Sequence, residues 1–235
     1  MYRDYKISIA MCTYNGEKYI KEQLYSIFNQ TIKPDEIIIC DDCSKDKTVE
    51  IINYFKDKLN IKLYNNDCNL GVTKNFEKAI KNCNGDIIFL SDQDDYWNEK
   101  KIEKIVEKFE LQKDICMIFT NADVVDKNLK SFNYNLWDSV NFNKRHKNRI
   151  LDNHAFEMLL NKNYITGATM AFKKELKNVI FPIPNEFIHD EWIALMACIF
   201  YKINFLDEKL ILYRIHENNV IGTSNNQIKK SLKNC

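Results

Sequence analysis

Three aspartates, Asp92, Asp94 and Asp95, stand almost together in FLSDQDDYW at 89–97, directly after an apolar run. Like charges this close repel and raise one another's pKa, so a positive species is expected beside them. Alternate carboxylates on a tight turn suit a hard divalent ion. Mg²⁺ or Mn²⁺ takes one or two protein carboxylates, keeps some water and completes its sphere with substrate phosphates. The stretch therefore predicts a diphosphate ligand held through a metal, against the plainer alternative of a solvated turn before a helix near Asn98.

Three further segments put polar groups directly after apolar runs: Thr13-Tyr14-Asn15, Asp41-Asp42-Cys43-Ser44 and Asn69-Leu70-Gly71. If the runs are neighbouring parallel strands, all four segments meet, because ligands of an open α/β sheet sit outside the carboxyl ends of its strands. Ser44 and Asp46 read as helix caps that accept hydrogen bonds from orphan amides. A second carboxylate at Asp41-Asp42 is superfluous for capping and can instead accept hydrogen bonds from a nucleotide base or a ribose hydroxyl. A phosphatase with its nucleophile in DxDx[TV] after the first strand is excluded, because this cluster follows the fourth run and Tyr96 stands at the Thr/Val position.

The elements that must position these groups follow from periodicity. Continuous apolar runs at Ile7–Cys12, Glu36–Cys40, Ile61–Tyr64, Asp86–Leu90 and Ile115–Thr120 predict parallel strands buried on both faces. Between them, Ile20/Leu24/Ile27/Phe28, Phe76/Ala79/Ile80/Cys83 and Ile102/Ile105/Val106/Phe109 each trace one buried helix face. Alternation of this kind predicts an α/β fold with crossover helices. With five glycines and neither GxGxxG nor GxxxxGK[ST], the ordinary dehydrogenase and P-loop readings fall away. Residues 121–150 are polar, Asn-rich and aperiodic, and read as a long connection. Beyond it, 164–172 predicts a strand, FPIP at 181–184 a rigid linker, Trp192/Leu195/Met196/Ile199 a helix face and Lys209–Arg214 a last strand.

The chain has 235 residues and a formal net charge of +1, from 34 basic against 33 acidic side chains, so no global field recruits nucleic acid or an anionic surface. Eight cysteines sit mostly within apolar segments, and the Cys40/Cys43 pair lacks partners for a zinc set. The amino terminus shows no signal-peptide pattern, and no apolar run approaches the ~20 residues of a membrane span. These features predict a reduced, cytoplasmic protein. Peripheral contact with the inner membrane face through the Lys-rich end, NNQIKKSLKNC, is a further expectation.

MCTYNGEKYIKEQLYSIFNQT, DEIIICDDCSKDKT, NLGVTKNF and SDQDDYW together resemble glycosyltransferase family 2 over about the first 120 residues, with later matches in TGATMAF, IHDEWIAL and LYRIHENNVIG. The order of DQDD, HDEW and YR-x-H is most similar to the bacterial rhamnosyltransferase-type branch. The resemblance implies a GT-A nucleotide-sugar fold over 1–222, with a nucleotide-sugar half at 1–120, an acceptor and base half at 121–222 and a polar tail at 223–235. It implies nucleotide contacts from Thr13, Tyr14 and Asn15, base and ribose contacts from Asp41 and Asp42, and Lys74 and Asn75 near nucleotide and sugar. Asp92 would lie near ribose or sugar, Asp94 on an Mn²⁺ or Mg²⁺ ion, and Arg214 and His216 at the diphosphate and metal. Asp190 would be the catalytic base, with Glu191 as the alternative, and Trp192 an apolar wall for the sugar ring. His189 departs from the acid common at that place in other branches.

Three functions compete. The first is an inverting, metal-dependent transferase that moves rhamnose or another hexose from a dTDP- or UDP-sugar to a glycan or lipid-linked glycan of a bacterial surface. The second is a non-catalytic sugar-nucleotide binder within a larger assembly. The third, a sugar-phosphate nucleotidyltransferase, needs a Gly-rich basic opening loop that MCTYNGEKY does not supply.

Overall fold

The computed structural model describes residues 5–217. The polar tail, Cys235 and the end of the closing patch at Gly222 lie outside the described residues. One mixed sheet organises the rest. Its strands are β1 (Ile7–Thr13), β2 (Glu36–Asp41), β3 (Ile61–Asn65), β4 (Ile87–Ser91), β5 (Tyr96–Trp97), β6 (Ile115–Val125), β7 (Ser131–Asn135), β8 (Met170–Lys173) and β9 (Lys202–Arg214). They lie in the order β3-β2-β1-β4-β8-β6-β9-β5, with β7 on β6. β1, β2, β3 and β4 pair in parallel, as do β6 and β9, while β8 runs antiparallel between β4 and β6. The chain therefore has the mostly parallel, helix-flanked α/β sheet that its pattern predicts.

Register explains why the polar segments meet. Thr13 pairs with Asp41 and Asp41 with Asn65, so β1, β2 and β3 finish level, and Ser91 at the end of β4 pairs with Met11, two residues short of them. Whatever follows them shares one edge. Both faces of these strands are covered. Ile7, Ile9 and Met11 pack into one core with Leu24, Ile27, Phe55 and Phe109, whereas Ala10 faces a second core with Phe76, Ile80 and Ile193. The helices are α1 (Ile20–Phe28), α2 (Thr48–Phe55), α3 (Val72–Asn82), α4 (Lys101–Leu111), α5 (Leu136–Val140), α6 (Lys144–Leu151), α7 (Ala155–Asn161), α8 (Lys177–Ile180) and α9 (His189–Phe200). Among the described residues no helix is long and apolar enough to cross a membrane.

Four expectations are corrected. Residues 121–150 are not one long connection: β6 continues to Val125, and β7, α5 and α6 follow. Those elements are too short to show a period, and the helices start on Asn135 and Asn143, each of which accepts a hydrogen bond from an amide of the first turn. The strand expected over 164–172 is confined to Met170–Lys173, after a 3₁₀ turn at Gly167–Thr169. α9 buries His189, Asp190, Ile193, Ala194, Leu195 and Ala197, whereas Ile199 is exposed and Trp192 only half-buried. The last strand begins at Lys202, seven residues before the expected Lys209. The described cysteines are all free thiols.

Candidate active site

The acidic loop after β4 is folded back on the protein. Gln93 makes a two-way bridge to the end of β1, accepting from the Tyr14 amide at 2.9 Å and donating to the Tyr14 carbonyl at 3.0 Å. A Cβ on Gly16 would lie 2.2 Å from Gln93 Oε1, so only glycine leaves room for that bridge. Burial pushes the Asp92 carboxyl up to about 7, and the charges of Asp94 and Asp190 add to it. Asp95 is deeply buried and raised well above the carboxylate range by burial and by its two neighbours, and its Oδ2 has no partner among the described residues.

β9 brings a cation beneath this loop. Arg214 is 1 % exposed. Its amide donates to Asp95 Oδ1 at 3.1 Å, its Nε to the Asp94 carbonyl at 2.7 Å, its Nη1 to the Lys127 carbonyl at 2.6 Å and its Nη2 to Glu22. The guanidinium lies 4.5 Å over the Tyr19 ring, and that ring sits 4.8 Å from His216. Two residues past Arg214, His216 Nε2 lies 2.8 Å from Asp94 Oδ2. The loop is thus anchored through its backbone and Asp95, which leaves Asp94 to face His216.

A second carboxylate stands opposite. Asp190, on the first turn of α9, accepts from the Gly167 amide at 3.0 Å, from Asn163 Nδ2 at 3.2 Å and from the Glu191 amide at 2.7 Å. Burial nevertheless raises its carboxyl to about 6, above the ordinary 3.8. Its charge reaches Asp92 on the acidic loop. His189 beside it stacks on Phe76 at 4.0 Å, and both its ring nitrogens are buried without a partner among the described residues. Burial lowers its imidazole to about 3, so the ring is neutral. A Cβ on Gly167 would meet His189 Nε2 at 2.8 Å. Because that ring is trapped, Gly167→Ala is expected to destabilise the protein by about 1–3 kcal/mol through overpacking. Calorimetry should record a Tm fall of about 2–4 °C per kcal/mol for a chain of this size.

On the neighbouring strand ends, Asp41 accepts from Thr13 Oγ1 and from the Ser44 amide and hydroxyl. Asp42 accepts from Asn66 Nδ2 and from the Leu70 and Gly71 amides. Both carboxylates are buried and shape the edge, with Thr13 locked between strands. Tyr14 is half exposed above them, and Asn15 takes the left-handed conformation at φ 47°, its side chain accepting from the Lys45 amide. Neither expected cap is the N-cap of α2, which falls on Lys47: Asp46 Oδ1 accepts from the Thr48 amide at 3.0 Å as a turn, and Ser44 Oγ accepts from the Asn15 amide.

A family model described as Glycosyl transferase family 2 matches residues 8–175. The chain belongs to glycosyltransferase family 2. Among curated relatives it is 31% identical over 234 residues to the dTDP-rhamnosyl transferase RfbG of Shigella flexneri, covering 91% of this chain and 74% of that one. Among solved structures it superposes on Staphylococcus aureus TarS 1–349 in complex with UDP-GlcNAc at a TM-score of 0.70 and 23% identity, over 91% of this chain and 60% of that one. The mannosyltransferase PcManGT of Pyrobaculum calidifontis, in complex with GDP-Man and Mn²⁺, superposes at 0.66 and 17% identity, over 93% and 59%. The fold is GT-A. The chain spans about three-fifths of the length of those two solved chains.

Within this family member, His216 and Arg214 both bond to Asp94, the charge of Asp190 reaches Asp92 on the same loop, and Gln93 ties that loop to Tyr14. Three other expected residues are bonded within the protein. Lys74 Nζ binds Glu77 and the Ile183 carbonyl, Asn75 bridges Asn66 and the Cys40 carbonyl, and the Trp192 indole donates to the Ile180 carbonyl against Phe187. The Arg214 guanidinium, expected at the diphosphate, is bonded here to Glu22 and to the Asp94 and Lys127 carbonyls.

Sequence reading missed Gln93, Tyr19, Glu22 and above all Lys101, a fully buried lysine whose Nζ lies 3.6 Å over the Trp97 ring. Burial lowers its ammonium well below the usual lysine range, while the charges of Asp95 and Asp92 act in the opposite sense. A lysine on the apolar face of a helix, directly before Ile102, was the available signal.

Asp94 and His216 fit a divalent cation: one carboxylate and one imidazole already adjoin each other, next to a second carboxylate at Asp92. Among the described residues no three His, Cys, Asp or Glu side chains converge on one point. A cation here must therefore draw most of its coordination from phosphate oxygens and water, as Mg²⁺ and Mn²⁺ sites at diphosphates do.

Proposed function

We propose that the protein is an inverting, metal-dependent hexosyltransferase that moves rhamnose or another hexose from a nucleoside-diphosphate donor to a hydroxyl of a growing bacterial surface glycan. The observation that carries this reading is that one acidic loop sets Asp94 against His216 and brings Asp92 near enough to Asp190 for the charge of Asp190 to raise the Asp92 carboxyl. Residues 1–120 would hold the donor, and 121–222 the base and acceptor. The name of the RfbG relative and the UDP-GlcNAc held by TarS support a dTDP- or UDP-linked donor, and a glycan or lipid-linked glycan is the acceptor in this reading.

Asp94 and His216 would hold Mn²⁺ or Mg²⁺, which when bound supplies Lewis-acid charge to the departing diphosphate. Tyr14, exposed at the end of β1, would pack on the nucleotide base, and Asp41 and Asp42 keep the edge beneath it rigid. Arg214 holds the acidic loop in place from below. On the other face Asp190, oriented by three donors, takes the proton of the acceptor hydroxyl as that oxygen attacks the anomeric carbon. Attack opposite the leaving group inverts the configuration. The work is cytoplasmic in this reading, where nucleotide sugars are available, with the membrane as a source of lipid-linked acceptor.

A thermal-shift panel of UDP-, dTDP-, GDP- and CMP-sugars with and without Mn²⁺ tests the proposal. Stabilisation by one nucleotide class only when Mn²⁺ is present is the expected result. Equal stabilisation with and without the ion contradicts metal-dependent donor binding.

A further inference from the structure

We propose that Lys101 is a positioning residue that ties the acidic loop to the cradle of Asp190 and so holds the two sides of the cleft in one frame. The inference rests on Asp190 being the base. Lys101 opens α4, six residues after Asp95, and is completely buried. Its Nζ donates to the Ala168 carbonyl at 2.8 Å. Among the described residues no carboxylate lies within ion-pair distance of that ammonium.

Burying a lysine to bind one carbonyl is costly, and an apolar side chain of similar volume would fill the space at less expense. Packing alone does not account for it. What the bond secures is the turn at Gly167–Thr169. The residue before Ala168 gives its amide to Asp190 Oδ2, and the residue after it closes the turn, with the Thr169 hydroxyl donating to the Thr166 carbonyl at 2.7 Å. On the other side, Lys101 rests on Trp97, whose amide donates to Ser26 Oγ on α1 at 3.0 Å. From Trp97, two residues past Asp95, through Lys101 and Ala168, to Gly167 and Asp190 runs one continuous chain of contacts. A shift of the acidic loop is thereby transmitted to the base, and the reverse holds as well.

Lys101→Met removes the tie and keeps the volume. Misplacement of a reacting group by about 1 Å costs up to about 10²-fold in rate, so kcat should fall by about 10–10²-fold while the donor KM stays within about threefold. Hydrogen exchange should show the amides of 166–169 losing protection while those of α4 keep theirs. An unchanged kcat, a KM that rises in step with the fall in kcat, or unchanged protection at 166–169 overturns the proposal. Should the single variant fail to fold, Lys101→Met/Asp95→Asn removes both buried titratable groups and should show the same loss of protection. Wild-type protection at 166–169 in the double variant overturns the tie. If the wild-type protein transfers no sugar from any donor, the function proposed above fails, and hydrogen exchange alone decides the role of Lys101.

Discussion

Asp190→Asn is expected to lower sugar transfer by about 10²–10⁴-fold, the usual worth of a general base, while donor binding measured by calorimetry stays unchanged. The carboxylate is oriented by the Gly167 amide, Asn163 and the Glu191 amide, so an amide in its place keeps the volume and loses the proton-accepting charge. The same residue sets a pH signature. Burial holds its carboxyl near 6, above the ordinary 3.8, and only the ionised form accepts a proton. Transfer by the wild-type protein should therefore fall about tenfold per pH unit as pH drops below about 6. For stability the sign is opposite: the folded state binds this proton more tightly than the unfolded chain, so the contribution of Asp190 improves as pH falls through 6 and is complete below 3.8. A base elsewhere, at Glu191 for instance, would leave Asp190→Asn active.

Asp94→Ala should abolish the effect of Mn²⁺ on donor binding and reduce transfer by about 10²-fold or more, because a metal clamp on a diphosphate supplies several kcal/mol of charge stabilisation. Its carboxylate is the member of the acidic trio left facing His216, whereas Asp95 is turned inward onto the Arg214 amide. Without a cation, the loop presents only negative charge to a diphosphate. Loss of Asp94 removes the ligand yet leaves Asp92 to repel the donor. Donor titrations of the wild type and the variant, each with Mn²⁺ and with chelator, check this. The expected pattern is a large effect of Mn²⁺ in the wild type and none in Asp94→Ala.

The parallel half of the fold was legible because strands buried on both faces read as unbroken apolar runs, and Ile7, Glu36, Ile61 and Ile115 begin strands where the runs begin. The convergence of Tyr14, Asp42 and Asp92 followed from one rule about strand ends, once the register set those ends on one edge. The second half was less legible. β7, α5 and α6 are five to eight residues long, too short for a period, and depend on asparagine caps hidden among many other asparagines. The helix at 189–200 was placed, but its inward face was rotated, because Trp192 and Met196 were weighed as core while the buried polar pair His189 and Asp190 was not counted as part of it.

The site divides in the same way. A carboxylate cluster announces itself in sequence, but what makes it tolerable does not. The bonds from Arg214 are tertiary facts, and its buried guanidinium replaces part of the positive charge that the sequence assigned wholly to an ion. Lys74, Asn75 and Trp192 were plausible by position and are bonded to other groups, since a side chain's partner depends on packing that spacing does not encode.

Anomalous X-ray scattering at the manganese edge, from crystals grown with Mn²⁺ and a nucleoside diphosphate, tests the bridging cation most directly. One peak beside Asp94 and His216, next to the diphosphate, is expected, with the base of the nucleotide against Tyr14. A diphosphate bound in the cleft with no manganese beside Asp94 would contradict it.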